Sequence, residues 1–177
     1  MRLSRYDDRS LIQLHGHIRS ELESHHFLDE AEPQFPERQR ALGFSPSSTS
    51  VSSDSDPAVH AVVIDGWHLG GPVSLVVTPT EATLEFASGK RLASRAAALE
   101  PSLRELFGVG ADIVRTLAPA RGTALPAADR ARIWIRTANG LYVTEGPVDQ
   151  WSRGEHKVAM LYRLGVSVMG MLLAGEG

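Results

Sequence analysis

The residues best placed to do chemistry in this chain are Asp65 and His68, in the stretch DGWH. A carboxylate and an imidazole leaving a strand end together could serve as orienter and general base. The plainer reading is a strand-end Asp-Gly turn, with Trp67 closing over the core. Ser167, in GVSVMG, lacks the sharp strand-to-helix elbow that exposes a serine nucleophile, and reads as a small packing residue. Asp149, Arg153, Glu155 and His156 read as a second polar loop.

A metal is the other chemistry to weigh. Four of the seven histidines, His15, His17, His25 and His26, lie near the N-terminus. On a helix, His17, Glu21 and His25 would share one face at spacings of four, which suits two or three ligands of a zinc-like ion. The HExxH spacing is absent, so a polar helix face remains the simpler reading, and no cofactor is expected. The chain has no cysteine, which removes thiolate metal sites, disulfides and thiol nucleophiles together.

The elements that would position these residues divide around Gly43 to Pro57, which holds seven serines in fifteen residues. This composition predicts a flexible linker (43–57) between a helical arm (1–42) and an α+β core (58–177). In the arm, Leu11, Leu14, Ile18 and Leu22 recur at three and four residues and predict an amphipathic helix ending near Phe27 or Leu28. Glu37 to Leu42 adds a further turn or two. Such an apolar stripe is a candidate surface for a partner or a neighbouring subunit.

In the core, Val59 to Ile64, Val73 to Thr78 and Ala82 to Ala87 read as a three-stranded antiparallel meander. Arg91 to Leu106 reads as a helix that Pro101 could divide, with GVG at 108–110 as its stop. RIWIRTANGLYV then predicts a hairpin turning at Asn139-Gly140. Glu155 to Ala174 predicts a closing helix. The expected fold class is α+β, with about five mostly antiparallel strands and two or three helices.

If Ile133 and Ile135 face the core, period two puts Arg132, Trp134 and Arg136 on the other face. Tryptophan flanked by arginine is typical of protein interfaces. The alternative is a helix covering that face, which makes Trp134 ordinary core.

The stretch AVHAVVIDGWHLG resembles the first strand and Asp-Gly turn of the roadblock family. The resemblance covers residues 58–177 and implies small modules that pair as homodimers in GTPase-linked scaffolds. It carries over no site residues.

A net charge of −3 disfavours nucleic acid. Sixteen arginines against two lysines, with abundant alanine and glycine, suggest a GC-rich bacterial genome. The longest apolar run, Val158 to Ala174, is broken by Arg163 and is shorter than the roughly 20 residues of a spanning helix, so no membrane partner and a cytoplasmic location are expected. The leading expectation is a non-enzymatic interaction or assembly module that oligomerises or docks. The alternatives are a small hydrolase or lyase using His68 and Asp65, and a structural subunit of a phage or secretion assembly.

Overall fold

The computed structural model describes residues 35–43, 58–68 and 70–175. Their order is α1 (Pro36–Leu42), β1 (Val59–His68), β2 (Gly71–Val77), β3 (Glu81–Phe86), β4 (Arg91–Arg95) and α2 (Ala96–Ile113). A short 3-10 turn, Val114–Thr116, leads to β5 (Ala118–Pro119), β6 (Arg130–Thr137), β7 (Gly140–Pro147), α3 (Val148–Arg153) and α4 (Lys157–Ala174).

The seven strands form one sheet in the order β4-β3-β2-β1-β6-β7-β5, every pair antiparallel. The class is α+β, with seven strands where five were expected. The two extra strands are short. β4 falls where the sequence suggested a helix start, because Ala93 and Ala96–Ala98 are good helix formers; its pairing with β3 wins as far as Arg95. β5 is two residues long and joins β7 at Val143 and Tyr142.

Period two divides the sheet residues between two faces. Val62, Ile64, Leu75, Val77, Leu84, Ile133 and Ile135 form the main core with Leu103 and Leu106 of α2 and Leu161, Val168 and Leu172 of α4. Each fully buried aliphatic side chain is worth about 1.5–3 kcal/mol. The helices approach closely where side chains are absent. A Cβ on Gly165 of α4 would stand 2.2 Å from Ile64 Cδ1, and one on Gly110 of α2 would stand 3.7 Å from Val62 and Ile135.

The glycines at 108–110 therefore do not stop a helix. α2 runs through them, and through Pro101, to Ile113. Gly110 is a contact point with the sheet. The closing helix runs as expected over 157–174; its mean hydropathy of 1.4 over eighteen residues would suit a membrane span, but Leu161, Tyr162, Val168 and Leu172 are buried in the main core. His156 begins it: Nδ1 accepts the Ala159 N–H at 3.2 Å, so this histidine is a helix cap.

The β6–β7 hairpin is present, but Thr137 pairs with Gly140. The two loop residues are Ala138 and Asn139, one position earlier than the Asn-Gly reading. Gly140, at φ 141°, opens the returning strand.

Candidate functional site

The second face of the sheet carries the polar residues. One row across five strands reads Glu85, Ser74, Asp65, Arg132, Glu145, each registered with the next. The adjacent row reads Thr83, Val76, Val63, Trp134, Val143. An acid in the middle of a sheet needs compensation if that face is covered. Here it is covered.

The cover is α1. Its seven residues are too few to form a stable helix alone, and Phe35 before it offers no side-chain cap. The sheet supplies what is missing. Glu85 accepts the Glu37 N–H at 3.0 Å and the Arg38 N–H at 2.9 Å, satisfying two of the free donors at the helix start. Arg91, opposite Glu85 on β4, reaches Glu37 at 3.0 Å. At the other end Leu42 packs with Val63, Val76 and Trp134, and Arg136 donates to the Gly43 carbonyl at 2.8 Å. Phe35 and Leu42 are 2% and 1% exposed.

Between these ends Arg38 enters the sheet face. Nε lies 2.8 Å from Asp65 Oδ1 and Nη2 lies 2.8 Å from Oδ2, the two-pronged geometry that suits a guanidinium and a carboxylate. Ser74 Oγ donates to Oδ1 at 2.8 Å and Trp134 Nε1 donates to Oδ2 at 2.7 Å. The guanidinium carbons of Arg38 and Arg132 both lie over the Trp134 ring, at 5.8 and 5.5 Å from its centroid. Among the described residues no buried side-chain nitrogen or oxygen lacks a partner.

The segment between β5 and β6 closes the network. Arg38 Nη2 donates to the Thr123 carbonyl at 2.6 Å, Trp67 Nε1 to the Pro126 carbonyl at 2.7 Å, and Arg132 to the Ala124 carbonyl. Arg132 and Arg130 also grip Glu145. Partial burial raises the pKa of that carboxyl, but the hydrogen bonds and charges of the two arginines together outweigh it and hold it below its ordinary 4.5.

These contacts place each candidate of the sequence reading. Asp65 and His68 do not leave a strand end together, because β1 continues through DGWH to His68. His68 pairs with Gly71, three residues and about 10 Å of strand beyond Asp65. With both oxygens of Asp65 engaged, the carboxylate is not free to orient a base. Trp134 lies on the face opposite Ile133 and Ile135 and is 1% exposed, so of the two alternatives the covered one holds. Arg132 and Arg136 hold, respectively, the 119–129 segment with Glu145 and the end of α1.

Leu11, Leu14, Ile18, Leu22, His17, Glu21 and His25 lie outside the described residues, as does the serine-rich stretch. Among the described residues no group of three His, Asp or Glu side chains could hold a metal. Arg38, Ser74 and Glu85 did not stand out in the sequence. The available signal was the acid ending VHAVVID: Val63 and Asp65 share a face, so covering one buries the other.

Comparison of the chain with protein-family models, with curated proteins and with solved structures finds no match. The roadblock resemblance therefore gains no support, and the structure differs from what it implied at the residues that carried it. Asp65-Gly66 lies within β1, where the resemblance made it a turn.

Proposed function

We propose that the protein is a non-enzymatic interaction and assembly module whose sheet holds the root of an N-terminal binding arm. The observation that carries this reading is the commitment of Asp65. The carboxylate that would have served catalysis instead secures Arg38 of α1, with Ser74 and Trp134 completing its shell. A fully paired buried charge is an anchor, because losing its partner is costly.

The anchor changes how the arm is tethered. The amphipathic stretch Leu11 to Leu22 is followed by a root fixed at Phe35, where the sequence had suggested attachment through fifteen serine-rich residues. Residues 29–34 alone separate the expected end of that helix from the anchored root, a length of chain that reaches at most about 25 Å from Phe35. A short tether to a rigid body raises the local concentration of the arm for whatever it binds.

Light scattering after size-exclusion chromatography tests the reading, comparing the full chain with one beginning at Gln34. The expected result is a defined oligomer for the full chain and a folded monomer for the shorter one. Identical monomers that also share a hydrolytic or lyase activity in a substrate screen would overturn it.

A further inference from the structure

Residues 120–129 lie along the covered face of the sheet as a strap between β5 and β6, tied to other main chain only near its ends. The Ala120 N–H donates to the Leu141 carbonyl at 2.8 Å, and the Asp129 carbonyl accepts the Val148 N–H at 3.1 Å. From Arg121 to Pro126, among the described residues, no hydrogen bond from main chain to main chain holds it. Arg121, Gly122, Thr123 and Ala124 are exposed, and Pro126 is buried.

Three side chains hold this stretch instead, each through a carbonyl oxygen. Trp67 of β1 donates to Pro126 at 2.7 Å, and Arg132 of β6 donates to Ala124. Both belong to the sheet. The third is Arg38 of α1, whose Nη2 donates to Thr123 at 2.6 Å while it also holds Asp65 Oδ2 at 2.8 Å. One guanidinium thus joins the root of the arm, the buried acid and the strap.

We propose that the strap is a conformational device governed by α1, closed while α1 is docked and opened when α1 leaves the sheet. The basis is the sharing of Arg38. A hydrogen bond from a charged donor is worth about 10-fold or more in an equilibrium constant, and α1 cannot withdraw without taking that donor from Thr123. In the other direction, the strap helps keep water from the Arg38–Asp65 pair, and charges attract less in water. Each element therefore favours the docked form of the other, and such coupling is reciprocal. Tension on the residues upstream of Phe35 would loosen α1 and bare Trp67 and Arg132. The proposal goes beyond the assembly reading, because it holds for a single chain whatever the arm binds.

Trypsin under single-cut conditions reads the strap. The Arg121-Gly122 bond lies within it, whereas the bonds after Arg132 and Arg136 lie in β6 and report global unfolding. The full chain is compared with Asp65→Asn and Arg38→Lys. Asp65 makes no hydrogen bond to the strap, but an asparagine there leaves Arg38 without its counter-charge. Lysine keeps a cation beside Asp65, but a single ammonium lacks the planar fork that reaches Thr123 as well. Both variants should be cut after Arg121 about 10-fold faster than the unaltered chain, with the cuts in β6 rising less.

An unaltered chain cut after Arg121 as fast as the variants overturns the proposal. So does Arg38→Lys in which the strap and β6 cuts rise together, since the chain would then be opening as a whole. A folded Asp65→Asn with an unchanged strap also counts against it, because the Arg38 contact would be local and independent of the anchor. Should Asp65→Asn fail to fold, β6 is cut as fast as the strap in that variant, and Arg38→Lys decides alone. Light scattering reports arm-driven assembly separately, so either idea can fail by itself.

Discussion

The guanidinium of Arg38 and the carboxylate of Asp65, 27 residues apart in the chain, form a buried ion pair on the sheet face opposite the two long helices. Their side chains are 7% and 0% exposed. The serine-rich stretch lies between them in sequence, so this pair ties the segment upstream of that stretch to the sheet downstream of it. Residues 35–43 belong physically to the folded core, and the arm begins upstream of them.

A chain beginning at Ala58 lacks the cation for Asp65 and the cover for Val63, Val76 and Trp134. Breaking a buried pair from one side costs about 3–5 kcal/mol. The chain beginning at Ala58 should therefore unfold at clearly lower denaturant than one beginning at Gln34 and bind a hydrophobic dye before its transition. Equal midpoints would show that α1 is an accessory.

Glu85 supplies the cap that α1 does not carry itself. Glu85→Ala should cost about 1–2 kcal/mol in chemical denaturation, the range of a lost helix cap. Amide exchange at Glu37 and Arg38 should accelerate with it. Glu85→Gln keeps an accepting oxygen and should lose less.

Two glycine substitutions should have opposite signs, and the first separates a helix that runs through 108–110 from one that stops there. A Cβ on Gly108 meets nothing within 4 Å, so Gly108→Ala should stabilise by about 0.5–1 kcal/mol through helix propensity. Gly165→Ala gains the same propensity but drives a methyl against Ile64, whose side chain is enclosed in the core; overpacking of about 1–3 kcal/mol should leave it destabilised. Paired thermal melts read both.

The pH dependence has two limbs of opposite sign. Glu145 is held below 4.5 by Arg132 and Arg130 against the effect of burial, and Glu81 is held below it first by the Thr83 hydroxyl and then by Arg91. Carboxylates depressed by folding add stability above their unfolded pKa and lose it as pH falls through the folded value. Stability should therefore decline below about pH 4.5, and less steeply in Glu145→Gln. Burial pushes Tyr162 up to about 12 from 10.0, so its contribution is complete below pH 10 and is lost as pH rises towards 12. Phenolate absorbance should show this late titration, and Tyr162→Phe should remove it.

Legibility in the sequence differs from element to element. The 133–144 hairpin, the meander and the closing helix each show a period of two or 3.6, and each is present. Leu92 alone among the β4 residues is buried, so RLASR has no strand period to read, and its alanines favoured a helix instead. Gly110 looked like punctuation because sequence does not reveal which glycine a sheet will press against. Asp65 looked like a turn because Asp-Gly after an apolar run usually is one; only the register with Ser74 and Arg132 puts it in the middle of the sheet. Whether Trp134 was exposed or covered depended on α1, seven residues whose helix needs donors and acceptors from across the fold.

The most direct test of the anchor is a double-mutant cycle on Arg38→Ala and Asp65→Ala, read as unfolding free energy from chemical denaturation of the full chain. A paired buried anchor predicts that the two losses fall short of adding by more than about 1.5 kcal/mol, since the second substitution removes a group already left alone. Additivity within about 0.5 kcal/mol would mean that the two side chains do not depend on each other, and would contradict the account of α1 as the fixed root of the arm.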